Sequence, residues 1–303
     1  MMFSMTILKR PLISGFTFIK HGLSLAYPIK ESIESIAPLC DEVIINVGFD
    51  DPHLLQDDGT WAYLNDYFKN PKFKFLKSYW NPELKKKGLI LSQQTDIALK
   101  ACQGSYCQYI QGDEALHEKD FHIIEEAIRE MEKNKETQGF VFNYLHFYGN
   151  TDVIKYTRNI YRREVRLIRN GLDIISHGDA QGFRHKDHSK LWCKQISATI
   201  YHYGWARPQE TMKKKIQVMD KLYHGDQYDK SQNFEYERLW GLKKFTATHP
   251  KVMQEWVKKN TTGMDIMKLP LKLKAHDIGL IFSDLIEKCS GYRIGEYKNY
   301  RLL

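Results

Sequence analysis

The chain has 303 residues, 42% hydrophobic and 13% aromatic, which suffices to bury a full core and excludes a disordered chain. Its 45 basic and 37 acidic residues leave a formal charge of +8, favouring anionic partners such as nucleotides, nucleic acid or an anionic membrane face without choosing among them. Cys40, Cys102, Cys107, Cys193 and Cys289 lack zinc-type spacing and read as reduced thiols, no apolar run approaches the ~18 residues of a membrane span, and Met1–Lys9 is too short for a signal peptide and lacks its cleavage pattern, so the expected location is cytoplasmic.

Leu12 to Ile19 is apolar almost throughout and predicts a buried strand, with Gly15 marking a close approach of a ligand or of another backbone. Pro28 opens a helix carrying Ile29, Ile33 and Ile36 on one face, and Pro38 stops it. Val43 to Val47 predicts a second buried strand that runs into Asp50 and Asp51. A short helix is expected near Trp61 to Phe68, an alternating strand over Lys72 to Leu76, and a helix from Gly88 to Ala101. Tyr106 to Ile110 then reads as a strand leading into Gln111-Gly112-Asp113-Glu114. The helix after it has the plainest spacing in the chain, with Phe121, Ile124, Ile128 and Met131 on one face.

This alternation predicts an α/β fold with a mixed, mostly parallel central sheet flanked by helices. Strands are expected over Phe140 to Phe147, Tyr161 to Arg169 and Ile196 to Tyr203, the last placing Ile196, Ala198, Ile200 and His202 on one face. Pro208 closes a core of residues 1–208; residues 209–303 form a mostly helical extension, with helices near 211–223, 250–259 and 276–289.

No glycine-rich phosphate loop and no Gly-x-Ser-x-Gly elbow occurs, which argues against a dinucleotide enzyme, a P-loop ATPase and a serine hydrolase. Acidic strand ends remain: Asp50 and Asp51, Asp113 and Glu114. In a parallel sheet both loops leave the same edge, where α/β folds bind ligands, so the four carboxylates are expected either in one cleft or in solvated loops. Hard oxygen donors there suit Mn²⁺ or Mg²⁺, and such a cation suits a diphosphate. His202 closes an apolar strand face before Gly204, where the plain reading is a satisfied core or loop histidine. Asp179, in His177-Gly-Asp-Ala-Gln-Gly-Phe, is a candidate base or a turn-forming aspartate. Arg158, Arg162, Arg163, Arg166 and Arg169 offer a diphosphate clamp or a solvated face, and Lys213-Lys214-Lys215 offers peripheral contact with the inner face of a membrane.

Ile13-Ser-Gly-Phe-Thr-Phe-Ile, Tyr27-Pro-Ile-Lys-Glu-Ser-Ile and Cys40-Asp-Glu-Val-Ile-Ile-Asn-Val-Gly together resemble the opening of family-2-type glycosyltransferases with the A-type (GT-A) fold, bacterial branch. Gln111-Gly-Asp-Glu is similar to that family's Asp-x-Asp-like element, and Tyr201-His-Tyr-Gly-Trp resembles a later segment. The resemblance spans about residues 12–208. It implies inverting transfer of a sugar from a nucleotide-sugar donor to a glycan, glycolipid or protein acceptor, with a divalent cation. On that reading Asp113 and His202 hold the metal, and Glu114 shares the metal or orients a hydroxyl. Gly15, Phe16 and Asp50 or Asp51 contact the nucleotide, and Asp179 is the base. The chain departs from the family at Asp51-Pro52-His53, where an acidic residue is commonly followed by Gly-Thr. A nucleotidyltransferase is the rival enzyme reading, but Lys20-His21-Gly22 is a poor match for its glycine-rich basic loop. A non-catalytic nucleic-acid-binding protein is the other alternative; the dispersed basic residues make nucleic acid an unlikely partner.

Overall fold

Both apolar runs at the head of the sequence form strands covered on two faces, which is why neither alternates with polar residues. The computed structural model describes residues 12–84, 88–225, 227–261 and 263–303; Met1–Lys9 lies outside the described residues. β1 (Ile13–Ile19) pairs in parallel with β2 (Glu42–Phe49) through α1 (Ile29–Ile36). α2 (Thr60–Tyr67) leads to β3 (Phe73–Tyr79), parallel to β2, and α3 (Leu89–Ala101) leads to β4 (Tyr106–Tyr109), parallel to β1. Successive side chains of β1 enter different cores: Ile13 and Ile19 pack with α1, Phe16 with Ala98 and Leu99 of α3.

After β4 come β5 (Glu114–Leu116), α4 (Phe121–Lys133), β6 (Gly139–Tyr148), β7 (Val153–Lys155) and β8 (Arg163–Arg169). A hairpin of β9 (Ile174–His177) and β10 (Gly182–His185) precedes the long β11 (Trp192–Trp205). The main sheet runs β12-β7-β6-β8-β4-β1-β2-β3, where β12 is Leu242–Lys244. β11 lies parallel to β6 and antiparallel to β5. The expected fold class holds: α/β, with a mixed, largely parallel sheet flanked by helices. α5 (Gln209–His224), α6 (Gln254–Asn260) and α7 (Ala275–Ser290) lie in the region after residue 208, separated by irregular segments and short turns. That region also returns two short strands to the sheet, β12 on β7 and β13 (Arg301–Leu302) on β11. Among the described residues no helix is long and apolar enough to cross a membrane.

Gly15 marks a close approach of α1 and the turn after it. A Cβ there would lie 2.8 Å from Ile36 Cδ1 and 2.9 Å from Cys40 Sγ, so glycine lets α1 and the turn after it settle onto β1.

Candidate functional site

β5 is only three residues long, yet it decides the geometry at the end of β4. Its antiparallel pairing with β11 sets Glu114 opposite His202, and Tyr203 N–H donates to Asp113 O at 2.7 Å. Asp113 and His202 are thereby brought together, with Asp113 Oδ1 3.7 Å from His202 Nε2. Gly204 completes the corner: a Cβ on it would stand 2.6 Å from His202 Nε2 and 3.1 Å from Asp113 Oδ2. Any larger residue would fill the space that the carboxylate and the imidazole face.

The hydrogen bonds around His202 fix which of its nitrogens faces the carboxylate. His146, its register partner on β6, places Nε2 2.7 Å from Tyr161 O, which can only accept, so His146 Nε2 carries a proton. Burial holds both imidazoles below the usual histidine pKa, His146 well below, and so neutral. His146 Nδ1 therefore accepts from His202 Nδ1 at 3.1 Å, and the lone pair of His202 Nε2 is turned toward Asp113. A lone pair facing a carboxylate oxygen is an arrangement that a cation resolves. It is also how metal-ligating histidines are usually held, with the second nitrogen donating to a partner.

The donor set is small. Among the described residues no group of three or more His, Cys, Asp or Glu side chains could hold a metal. Asp113 and His202 fit the metals that keep much of their coordination sphere for water and substrate phosphate, as Mg²⁺ does. They do not fit a structural site with four protein ligands.

Two cations already attend Asp113, and neither was foreseen. Lys215 Nζ on α5 lies 2.9 Å from Asp113 Oδ2 and 2.9 Å from Gly204 O. Arg207, fully buried over the Tyr27 ring, places Nη2 3.8 Å from the same oxygen. Burial alone would raise the Asp113 pKa, but the charge of Lys215, with Arg207 behind it, outweighs it and holds the carboxyl well below its usual range.

Asp179 sits in the turn between β9 and β10, with Ala180 at φ 64°. The turn is tied down from several elements. Ser92 Oγ of α3 donates to Gly178 O at 2.5 Å, and Gln111 Nε2 donates to Ala180 O at 3.1 Å. Gln111 belongs to the same turn as Asp113, so the two carboxylate-bearing loops are directly joined. Tyr223 OH of α5 donates to Asp179 Oδ2 at 2.9 Å, and burial followed by the Asp179 charge raises the phenol pKa, so it stays a donor. Gly88, at φ +70°, leaves room for this contact: a Cβ there would lie 2.6 Å from Asp179 Cβ.

Asp113, His202 and Asp179 line one cavity of about 760 Å³, with α5 contributing Lys215, Met219 and Tyr223 and β1 and the loop after it contributing Phe18, Lys20 and His21. That volume suits a ligand of nucleotide-sugar size, since small-molecule sites run to ~300–1,000 Å³.

The other candidate residues lie elsewhere. Glu114 is fully buried and turned inward: Arg166 grips both its oxygens at 2.8 and 3.0 Å, Tyr144 OH donates at 2.8 Å and Gln111 N–H at 3.1 Å. Nothing on it is left for a metal or a substrate hydroxyl. Phe16 is core, stacked on Tyr109 with ring centroids 5.0 Å apart. Asp51 accepts the N–H groups of His53, Leu55 and Gln56 and shapes its own turn. Asp50 pairs with Lys20 and His21, so it reaches the cavity only through these partners. Of the four strand-end carboxylates, which the sequence left either in one cleft or in solvated loops, Asp113 lines the cavity, Glu114 is buried behind it, and Asp50 and Asp51 stay at the surface. The basic run divides: Arg158 is exposed, whereas Arg162, Arg166 and Arg169 are held by partners within the chain. Arg162 binds Glu287 and Glu296, Arg166 binds Glu114, and Arg169 caps the end of α4 through Met131 O and Asn134 O. Lys215 leaves the basic run for the cavity, while Lys213 pairs with Glu210.

No family model matches the chain, and no curated protein matches it. Among solved structures it is similar to S. aureus TarS 1-349, at 11% identity and a TM-score of 0.39 over 70% of this chain and 65% of that one. S. aureus TarS gives 10% identity and a TM-score of 0.38 over 69% and 39% of the two chains. TarS 1-349 in complex with UDP gives 14% and 0.38 over 70% and 65%. The chain spans less than two thirds of the length of these TarS chains. At that level the likeness carries no weight for the site, which rests on its own geometry.

Proposed function

We propose that the chain is a glycosyltransferase that moves a sugar from a nucleotide-sugar donor to an acceptor hydroxyl, with a divalent cation held by Asp113 and His202. The observation that carries this reading is the shared cavity. A carboxylate–imidazole pair with its lone pairs turned toward one space and a second carboxylate on a separate loop line the same ligand-sized volume. When bound, the cation would act as a Lewis acid, stabilising the negative charge that builds on the leaving diphosphate.

The chain's own residues supply the rest. Asp179 accepts the proton of the acceptor hydroxyl as its oxygen forms a bond to the anomeric carbon. The bond from that carbon to the diphosphate oxygen breaks, and the electron pair leaves with the diphosphate. A base acting directly on the acceptor gives a single displacement and inversion. Tyr223 holds one oxygen of Asp179, leaving the other for the acceptor. Aromatic and apolar lining from Phe18, Trp80 and Leu91 limits water, which would otherwise compete as acceptor.

Calorimetry with nucleoside diphosphates, with and without Mn²⁺, tests the reading together with Asp179→Asn. Metal-dependent binding is expected for the wild type. The variant should keep donor affinity and lose transfer by about 10³-fold, the middle of the usual range for a positioned base. No binding of any nucleoside diphosphate to the wild type removes the proposal, and lost donor binding in the variant reassigns Asp179.

A further inference from the structure

Lys215 is an ammonium on the apolar face of a helix. Met212, Ile216, Met219 and Tyr223 share that face and line the cavity with it. Its side chain is only 10% exposed, so removal from water has to be offset by partners, and it has two acceptors: Asp113 Oδ2 and Gly204 O. An ammonium has three N–H donors, so one remains beyond the two acceptors found among the described residues.

The charge balance of the corner is uneven. Asp113 brings one negative charge and Lys215 and Arg207 bring two positive ones, so the corner already carries an excess positive charge. A divalent cation between Asp113 and His202 would share Asp113 with Lys215 and repel it. Arg207 is placed differently. It is fully buried, its Nε and Nη2 have no hydrogen-bond partner among the described residues, and Nη2 stands 3.8 Å from Asp113 Oδ2. It can keep that oxygen when Lys215 leaves. The Gly204 carbonyl gives Lys215 a fixed anchor through the exchange.

Resting on the reading above, we propose that Lys215 is a diphosphate ligand held in reserve. In the donor-free chain its ammonium rests on Asp113; when the cation and the nucleotide enter, it exchanges that carboxylate for a phosphate oxygen. No covalent bond changes in this step, and one charge-assisted hydrogen bond replaces another. The exchange makes Lys215 a competitor of the metal when no nucleotide is present and a partner of the nucleotide when the metal is bound.

Those opposite roles give opposite effects for Lys215→Met in the full chain. Mn²⁺ alone, followed by the electron paramagnetic resonance signal of the free ion, should bind roughly tenfold more tightly to the variant, because a charge-assisted competitor is gone. The nucleoside diphosphate that the wild type binds most tightly, among UDP, GDP, CDP, ADP and dTDP, should bind roughly tenfold more weakly at saturating Mn²⁺. Lys215→Arg keeps the charge and should retain diphosphate affinity and leave Mn²⁺ affinity near that of the wild type; loss of diphosphate affinity in Lys215→Arg overturns the proposal, whether or not the methionine variant folds. Unchanged diphosphate affinity in Lys215→Met, or weaker Mn²⁺ binding, also overturns it while the glycosyltransferase reading stands. A wild type that binds none of the five nucleotides overturns both.

Discussion

Two acidic strand ends leave the same edge of the parallel sheet, and their fates differ. After β2, Asp50 is 41% exposed and pairs with Lys20 and His21, while Asp51 organises a solvent-facing turn. After β4, Asp113 enters the cavity under three nearby groups, Lys215, Arg207 and His202, and Glu114 is sealed beneath it against Arg166. The strands are alike; what differs is what docks on their ends. β11 and α5 close over the end of β4, so carboxylates there lose water and gain fixed cations, whereas the end of β2 keeps its water and local partners. A carboxylate's role follows from the elements that cover it more than from the strand that carries it.

The largest test of that contrast is Asp113→Asn. Loss of the anionic ligand should reduce turnover by about 10³-fold and abolish the Mn²⁺ dependence of nucleotide binding, whereas Asp50→Asn should leave that dependence intact. Equal effects at the two positions would erase the difference. Next in size is Glu114→Gln, adjacent in sequence but different in kind. It leaves the buried Arg166 without a counter-ion and should cost about 3 kcal/mol of stability, read from the urea midpoint at constant slope. Glu114→Gln with unchanged stability and lost metal binding would return that residue to the site.

Glu164 on β8 extends the comparison to a buried carboxyl without a cation in its grip. Gln181 Nε2 donates to Oε1 at 2.6 Å, Oε2 has no hydrogen-bond partner among the described residues, and burial, ahead of the opposing pull of Arg166, raises the pKa to about 8. A carboxyl raised in the folded state holds its proton there after the unfolded chain has released it. Stability is therefore greatest below the unfolded value of ~4.3 and falls as pH rises toward about 8. Glu164→Gln should flatten that slope and raise the melting temperature at pH 8 by a few degrees, roughly 2–4 °C per kcal/mol recovered, with little change at pH 4. A wild-type melting temperature that does not fall between pH 5 and 8 relative to the variant contradicts the assignment.

Much of the fold was legible because its signals are local. Buried runs gave β1 and β2, and the three-four-three spacing gave α4. β5 was hidden by its brevity and by Glu114, which reads as loop until Arg166 is seen beneath it. In the site, Asp113, His202 and Asp179 were legible as strand-end and turn residues, and all three line the cavity. Lys215, Arg207, Tyr223 and His146 were not, since each depends on which distant element docks where. A signal for Lys215 existed: in the helical phase of Met212, Ile216, Met219 and Tyr223 it falls on the apolar face, unlike Lys213 and Lys214. His146 could have been found from alternation along Phe140, Phe142 and Tyr144, whose core-facing side it continues.

The smallest effect is expected at Asp51, and it bears on the contrast because the sequence gives Asp51 the same acidic strand-end position as Asp113. Its carboxylate receives three backbone N–H groups, at 2.9 Å from His53, 3.0 Å from Leu55 and 2.7 Å from Gln56, and these bonds hold its pKa below the usual range despite some desolvation. The side chain thus acts as a local template for a turn whose N–H groups lie in reach of water. Asp51→Ala removes the template without burying an orphaned donor, so the urea midpoint should fall only slightly, as for the loss of an exposed capping carboxylate. Asp51→Asn should recover part of that fall, because the amide oxygen can still accept. Nucleotide affinity should stay within about twofold of wild type in both variants, since no atom of Asp51 lines the cavity and turn residues away from a site rarely couple to it. A tenfold loss of affinity in Asp51→Asn, with stability unchanged, would make the end of β2 part of the nucleotide site and dissolve the contrast with the end of β4.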